Sequence, residues 1–371
     1  MSPKPRGREL GLPFPGETGP HNAITDVPGL EVGLTTIVRG DGPLVTGQGP
    51  VRTGVTAILP LGSAADLEPV WAGMFALNGN GEMTGTHWIK DGGYLTGPVC
   101  ITNTHSVGIV HHACVRWMIR RYAAVTERHF WAMPVVAETF DGVLNDVNGL
   151  HVTEEHALAA LDGAKSGPVL EGNVGGGTGM IAYEFKGGTG TSSRRVRTGG
   201  GEGTVGVLVQ ANHGRRESFT VLGVPVGRHT DGPDIWRRET GSIIVVVATD
   251  LPLLPHQLGK VARRAALGIG RAGTQGGNSS GDIFLAFSTA NRMPLPEFGP
   301  SRWRLESLSD EAIDPVYQAT VEATDEAVIN AMLAAEPMTT LRPPGLIVPA
   351  LDGQVVVDLL RRAGRIQAPG T

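Results

Sequence analysis

A serine that directly follows a glycine stands at the start of the longest apolar β-branched run in the sequence. Gly241 and Ser242 are followed by Ile243–Val247, which contains only Ile and Val. Such a run is typical of a strand buried on both faces, so Ser242 is expected at the mouth of a core strand. A turn serine entering a core strand is the simpler interpretation. A chemical role requires a cut between Gly241 and Ser242.

Cleavage of that bond would give Ser242 a hydroxyl nucleophile and its own α-amine. A free α-amine has a pKa of about 7.7–8.0, so it can act as general base near neutral pH without a histidine. Glycine before the serine favours self-cleavage, because a residue without Cβ lets the hydroxyl approach the preceding carbonyl. The polar stretch 227–240 is predicted to be an exposed linker. An accessible segment that ends at Gly241–Ser242 is a place where a cut is tolerated.

Two further segments carry polar groups in unusual places. Glu138 lies inside the apolar strand predicted at Pro134–Asp141, where a carboxylate is costly to bury unless it meets a cation or faces a cleft. The segment 78–85 contains two Asn-Gly steps. These steps indicate either a β-hairpin turn or a loop whose amides and Glu82 line a pocket.

Three other motifs are weak for structural reasons. A metal site is not expected at the histidines after Val99, which lack HExxH spacing and a suitably spaced carboxylate; they are His105, His111 and His112. The G-x-G-x-x-A match at 177–182 has no strand before it and no clear helix after it, unlike a dinucleotide site. The G-x-S-x-G match at 277–281 precedes a strand, the reverse of a nucleophile elbow.

Composition bounds the classes of function. The chain has 371 residues, 40% hydrophobic, and a formal net charge of −5, which argues against nucleic-acid or anionic-membrane partners. Cys100 and Cys114 lie in apolar surroundings and are expected to be buried free thiols. With no secretory signal and no bilayer-spanning apolar run, a cytoplasmic location is expected. The 54 glycines, about twice ordinary usage, suggest many tight loops that expose backbone groups.

The predicted elements must bring these residues together. Strands occur in both halves with helices between them and without regular βαβ alternation, which favours two packed sheets flanked by helices. Residues 1–50 are expected to form an extended arm. Strands are predicted at 33–38, 55–60, 70–77, from 99, and at 134–141, 204–211, 219–226, 243–247 and 282–288. Helices are predicted at 111–128, 153–164, 255–271, 310–335 and 355–363.

Taken together, the motifs resemble the L-aminopeptidase/D-esterase and β-peptidyl aminopeptidase family of self-processing N-terminal nucleophile hydrolases. The resemblance covers nearly the whole chain and implies one α/β/β/α sandwich domain spanning 1–371, cut into an α chain 1–241 and a β chain 242–371. It also implies a tetramer of αβ units. No cofactor or metal is expected. The motifs that carry it, all in one order, are 77–85, 101–108, 136–142, 186–194, 207–212 and 241–250.

The resemblance implies catalytic roles for specific residues. Ser242 matches the nucleophile and, through its amine, the base. Asn212, at the end of its strand, matches the donor to the oxyanion, a contribution of roughly 2.7–4 kcal/mol in other hydrolases. Ser280 and Asp282 match a serine–acid pair that orients and polarises the nucleophile, although many β-peptide-cleaving members have Glu at the latter position. Lys186 aligns with a lysine near the site.

The same resemblance implies how substrate is bound. Glu138 matches the acidic residue that receives the free amino group of the substrate. Asn78, Glu82 and Phe140 are the other residues expected at the substrate. The family commonly has tyrosine where this chain has Phe140, so a hydrogen-bond donor is missing here.

The expected function is removal of an unblocked N-terminal residue from short peptides, amides or esters. Two alternatives remain open at this level. One is an acyltransferase of the ornithine acetyltransferase type, which self-cleaves before threonine and not serine. The other is a glycine-rich binding protein that keeps the fold and never cuts. Preference for L-α, D-α or β residues depends on loops that the sequence does not place.

Overall fold

The computed structural model describes residues 4–129, 131–235 and 241–367. Short strands and long helices alternate irregularly along these ranges. The first strands are β1 (Glu31–Arg39), β2 (Val51–Leu59), β3 (Pro69–Ala76), β4 (Tyr94–Thr96), β5 (Val99–Asn103), β6 (Val135–Thr139), β7 (Ile181–Ala182) and β8 (Phe185–Lys186). The later strands are β9 (Gly188–Thr198), β10 (Gly201–Asn212), β11 (Ser242–Thr249), β12 (Gly281–Ser288), β13 (Met338–Leu341) and β14 (Pro344–Val348).

The helices lie between and after these strands. Where the sequence predicted one helix from 111 to 128, the structure has two, α2 (Val107–Arg121) and α3 (Ala123–Thr126). The predicted helix 255–271 is confirmed at both ends. The α-helices are α1 (Thr86–Gly92), α2 (Val107–Arg121), α3 (Ala123–Thr126), α4 (Glu154–Asp162), α5 (Pro255–Arg271), α6 (Asp314–Leu333) and α7 (Gly353–Arg362).

Two mixed sheets form the centre of the molecule. The first has the strand order β1-β2-β5-β6, and the second has the order β4-β3-β12-β11-β10-β9. In the second sheet β11 runs parallel to β12 and antiparallel to β10. The end of β10 therefore lies beside the start of β11 and the start of β12.

The run that follows Ser242 is buried on both faces, as predicted. Side chains alternate along a strand, and Ile244 and Val246 of β11 pack between the two sheets with Ile101 and Ala137. Ile243, Val245 and Val247 face the other way, into the core to which α5, α6 and α7 also contribute residues.

The first sheet is covered on its outer face by α2 and α4. Residues of β2, β5 and β6 pack there against Val110, Trp117 and Leu161. Cys100 of β5 and Cys114 of α2 meet in this layer as buried free thiols, with their sulfurs 3.4 Å apart. Helices therefore cover both outer faces of the paired sheets, which confirms the predicted α/β/β/α sandwich.

The predicted strand at 219–226 does not form. Leu222 and Gly223 have positive φ values of 49° and 80°, which turn the chain back so that Val221 bridges Val224. Pro225 then starts a short 3-10 turn. The apolar side chains are buried as expected, but they fill the core from a turn.

The glycine-rich stretch after Lys186 is the long strand β9, although its glycines did not predict a strand. Its glycines allow the sheet to approach α6 closely. A Cβ at Gly190 would lie 2.1 Å from the carbonyl oxygen of Ala327. Glycine serves close packing here and does not mark a loop.

Helix α6 is buried along most of its length and holds the N-terminal arm. The carboxylate of Glu326 forms ion pairs with Arg194 at 2.7 Å and with Arg8 at 3.0 Å. Buried charges of this kind are tolerated when paired. None of the helices in the described ranges is both long and apolar enough to cross a membrane.

Candidate active site

Three residues form a row across neighbouring strands of the second sheet, where these strands begin or end. Asn212, the last residue of β10, pairs with Ser242, the first residue of β11. Ser242 pairs in turn with Gly281, the first residue of β12. Ser242 is 4% exposed. The long sequence separations between these residues are closed by strand pairing alone.

Gly241 must be glycine for a steric reason. A Cβ at this position would lie 1.9 Å from the carbonyl oxygen of Asn212. The carbonyl oxygen of Gly241 accepts a hydrogen bond from the amide of Gly281 at 3.3 Å. The carbonyl that would be attacked in self-cleavage is thus held by a donor that can also stabilise an oxyanion.

The prediction that the exposed linker remains accessible as far as Gly241 and Ser242 is wrong at these two residues. Residues 228–234 are largely exposed, as expected, but Gly241 and Ser242 are buried. Residues 236–240 of the predicted linker lie outside the described residues. Because a buried peptide bond is a poor target for another protease, burial favours a cut made within the molecule.

The carboxamide of Asn212 is held at both ends. Its Oδ1 accepts from the amide of Ile181 at 2.8 Å, and its Nδ2 donates to the carbonyl oxygen of Phe140 at 2.9 Å. An Nδ2 group has two hydrogens. The second hydrogen can be donated to an oxyanion beside Ser242.

Ser280 and Asp282 flank Gly281 and form a buried hydrogen-bonded pair. Ser280 Oγ donates to Asp282 Oδ1 at 2.6 Å, and Asn78 Nδ2 donates to Asp282 Oδ2 at 3.1 Å. Strand alternation places Asp282 on the opposite face of the sheet from Ser242. The pair therefore lies beside the main chain of Gly281, the pairing partner of Ser242. Residues 277–280 form a loop that leads directly into β12, as predicted.

The segment with two Asn-Gly steps is a loop and not a hairpin. After β3 it crosses to the first sheet, where Met83 bridges Ala137 of β6. Asn80 Nδ2 donates to the carbonyl oxygen of Ser279 at 2.6 Å, which ties the loop to the Ser280 segment. The loop therefore connects the two sheets at the end of the sandwich where Ser242 lies.

Glu138 of β6 is a buried acid at the same end of the sandwich and is 3% exposed. Its Oε1 accepts from the amide of Glu82 at 3.0 Å, and its Oε2 accepts from Thr104 Oγ1. Burial raises the pKa of Glu138, and these two hydrogen bonds oppose that rise. The side chain of Glu82 is exposed, and its hydrogen bond to Glu138 comes from its main chain.

Gly81 lies between Glu138 and the start of β12. A Cβ at Gly81 would be 3.2 Å from Glu138 Oε1 and 3.3 Å from the Cα of Gly281. The carboxylate of Glu138 is thus separated by one glycine from the strand next to Ser242.

Phe140 contributes its main chain to the site. Its carbonyl accepts from Asn212, as described above, while its ring packs over Gly142 and is 41% exposed. The missing tyrosine hydroxyl therefore leaves the support of Asn212 intact.

Lys186 lies behind this row and is fully buried. It pairs with Ile181, the residue whose amide holds Asn212. Its Nζ donates to the carbonyl oxygens of Gly187 at 3.0 Å and Gly177 at 3.4 Å. Burial lowers the pKa of Lys186 to about 7. Near neutral pH this buried amine can therefore gain or lose a proton.

Replacing Lys186 by methionine is expected to change how stability depends on pH. Above about pH 7 the folded protein releases the proton of Lys186, whereas the unfolded chain keeps it up to its ordinary value near 10.4. The unfolded state then binds more protons, so the lysine's contribution to stability rises with pH between these values. Lys186→Met loses this rise.

The measurement is thermal unfolding of both proteins from pH 6 to pH 10. The variant should be most favoured relative to wild type at pH 6, and its advantage should shrink steadily above pH 7. Lys90→Met, at an exposed position, controls for loss of a charge. A difference between Lys186→Met and wild type that stays constant with pH contradicts the low pKa.

Sequence reasoning missed three groups of the site. These are the hydroxyl of Thr104 and the amides of Ile181 and Gly281. Backbone donors carry no residue signal, and Thr104 is recognisable only once β5 and β6 are known to be paired. Among the described residues, no group of three His, Cys, Asp or Glu side chains is arranged to hold a metal.

Comparison with known proteins places this geometry in a family. The model of peptidase family S58 matches residues 22–343. The β-peptidyl aminopeptidase BapA of Sphingosinicella microcystinivorans is 48% identical, covering 98% of this chain and 94% of its own.

Solved structures agree closely with the fold. That of the L-aminopeptidase D-Ala-esterase/amidase from Ochrobactrum anthropi, described as a variant of the Ntn hydrolase fold, has a TM-score of 0.93 and 55% identity, covering 98% of this chain and all of its own. The β-aminopeptidase of Burkholderia sp. has a TM-score of 0.88 and 44% identity, with the same coverage. The chain therefore belongs to peptidase family S58 and has the Ntn hydrolase fold.

Proposed function

We propose that this chain is a serine aminopeptidase that cuts itself once, between Gly241 and Ser242, and then uses Ser242 as nucleophile. The observation that carries the proposal is the row of Asn212, Ser242 and Gly281, with the buried carboxylate of Glu138 across Gly81. The products are an α chain 1–241 and a β chain 242–371.

Self-cleavage needs only groups at the start of β11 and β12. Ser242 Oγ attacks the carbonyl carbon of Gly241, and the amide of Gly281 donates to the oxygen as it becomes negative. The C–N bond breaks, the serine proton passes to the nitrogen, and an ester joins Gly241 to Ser242 Oγ. Water then hydrolyses the ester, which frees the hydroxyl and the α-amine of Ser242.

Turnover of substrate follows the same chemistry. The α-amine takes the proton from Ser242 Oγ as it attacks the substrate carbonyl, and Asn212 Nδ2 donates to the oxyanion. The leaving amine or alcohol takes the proton, and an acyl-enzyme forms on Ser242. Water releases the acyl group. Ser280 and Asp282, supported by Asn78, orient the main-chain side of the nucleophile.

Glu138 selects substrates that have a free amine. Its carboxylate is held by two donors, Thr104 and the amide of Glu82, and each oxygen keeps acceptor capacity. An ammonium group can satisfy that capacity and offset the cost of burying the charge. The substrate class is thus an unblocked residue at the start of a short peptide, amide or ester.

Assembly and location are further parts of the proposal. We expect a tetramer of αβ units in a reducing compartment, the cytoplasm, where the neighbouring thiols of Cys100 and Cys114 remain reduced. Light scattering of the purified protein tests the assembly. A particle of one αβ unit at micromolar concentration would argue against it.

Mass spectrometry of the purified protein tests self-cleavage directly. Two chains with the masses of 1–241 and 242–371 are expected, the second beginning with an unmodified serine. Hydrolysis of L-alanine p-nitroanilide by the same preparation tests the activity. An active preparation that contains only the intact chain of 38.9 kDa refutes the mechanism, since its nucleophile has no free amine.

A further inference from the structure

Gln210 is a buried amide located between the two sheets. It lies on β10, two residues before Asn212, and pairs with Ile244 of β11. Strand alternation points its side chain towards the first sheet, on the same face as Asn212 and Ser242. It is 1% exposed.

One nitrogen of Gln210 ties β10 to both strands around Glu138. Nε2 donates to the carbonyl oxygen of Thr102 on β5 at 3.0 Å and to Oγ1 of Thr139 on β6 at 2.7 Å. Thr102 is the pairing partner of Glu138, and Thr139 is the next residue along β6. The strand of the oxyanion residue is thereby fixed to the strand of the amine-binding acid.

The glycine-rich segment 172–180 closes over this contact. A Cβ at Gly176 would lie 2.1 Å from Gln210 Oε1 and 2.7 Å from the carbonyl oxygen of Ile101. The 3-10 turn Gly175–Gly179 of this segment can approach so closely because Gly176 has no side chain. It prevents the carboxamide from moving away from β5 and β6.

The presence of an amide at position 210 has an energetic cost. Within the described ranges, Gln210 Oε1 has no hydrogen-bond donor. A buried acceptor without a donor lowers stability, and an apolar side chain would avoid that cost. Retention of an amide at this point is consistent with a need for its two donated hydrogen bonds.

We propose that Gln210 is a positioning residue that fixes the distance between the carboxylate of Glu138 and Ser242. It thereby sets the length of the N-terminal residue that is cleaved fastest. The inference rests on the proposed function. A β residue places one more carbon, a bond of about 1.5 Å, between its amine and its scissile carbonyl. Misplacement of reacting groups by about 1 Å can cost 10²-fold in rate.

The test compares kcat/KM for two p-nitroanilides, those of L-alanine and β³-homoalanine, which differ by one methylene. Gln210→Met removes the two hydrogen bonds that tie β10 to β5 and β6. The two sheets can then separate at this point. The longer substrate then spans the site better, so the ratio of the β to the α substrate is expected to rise by about 10-fold. The loss should fall mainly on the α substrate.

Gln257→Met is the matched control. Gln257 is also buried, and its Nε2 donates to the carbonyl oxygen of Leu308 and to Asp310 Oδ1, both at 2.8 Å. It lies on α5, outside the site. Its replacement removes the same number of donated hydrogen bonds, and the substrate ratio should stay at the wild-type value.

Thr139 provides a second route to the same contact. Thr139→Val removes the acceptor for Gln210 and should raise the ratio, whereas Thr139→Ser keeps the hydroxyl and should leave it near wild type. These variants decide the matter if Gln210→Met does not fold. Wild-type ratios in Thr139→Val and in any folded Gln210→Met overturn the inference. Wild-type protein that is neither cut nor active overturns the proposed function instead.

Discussion

Ser242→Ala is expected to yield one intact polypeptide of 38.9 kDa that does not hydrolyse L-alanine p-nitroanilide. The change removes a single buried hydroxyl, so the fold should be kept. Without the hydroxyl there is no attack on Gly241, and without cleavage there is neither a nucleophile nor a free α-amine. Loss of the nucleophile in other hydrolases costs about 10⁶ in kcat. An effect of that order is expected here.

Denaturing electrophoresis, mass spectrometry and the hydrolysis assay measure this result together. Ser279→Ala is the control, because Ser279 is the central serine of the G-x-S-x-G match and a nearby residue of similar size. It should be cut and remain active. If Ser242→Ala is cut or retains activity, the N-terminal nucleophile mechanism is wrong.

Glu138→Gln is expected to lower kcat/KM for free-amine substrates by roughly 10²- to 10⁴-fold, while N-acetylated substrates change by less than about threefold. The substitution keeps the size and shape of the side chain and removes its charge. The amine of the substrate is then buried without its counter-ion, which costs about 3–5 kcal/mol in comparable cases. L-alanine p-nitroanilide and its N-acetyl derivative provide the comparison.

Glu171→Gln is the matched control for Glu138→Gln. Glu171 is also a buried acid, paired with Arg6 at 2.7 Å, and it contacts none of the site residues described above. Its loss should affect both substrates equally. Equal losses for both substrates in Glu138→Gln as well would make Glu138 a structural residue.

The pH dependence of wild type provides a second readout of Glu138. Its pKa is raised, because burial outweighs the hydrogen bonds from Thr104 and the amide of Glu82. Binding of the substrate ammonium needs the ionised carboxylate of Glu138. As the pH is lowered, kcat/KM should therefore begin to fall at a higher pH than an ordinary glutamate would give. Glu138→Gln has no such group and should lose this part of the acid limb.

The sequence by itself determined the parts of the molecule that depend on local pattern. The Ile/Val run after Ser242 specified a doubly buried strand, and the helix predicted at 255–271 has the observed bounds. The distribution of strands and helices indicated the sandwich. The ordered motifs indicated the family and the residues expected at its site.

The tertiary structure alone decided which of these residues meet and how they are held. Asn212, Ser242 and Gly281 are distant in sequence, and only the mixed pairing of β10, β11 and β12 aligns them. The Asn-Gly steps at 78–85 became a crossing loop because Met83 found a partner on the other sheet, and β9 tolerates its glycines because α6 packs closely on it. Periodicity and propensity act over a few residues, whereas these outcomes depend on packing between strands and helices far apart in the chain.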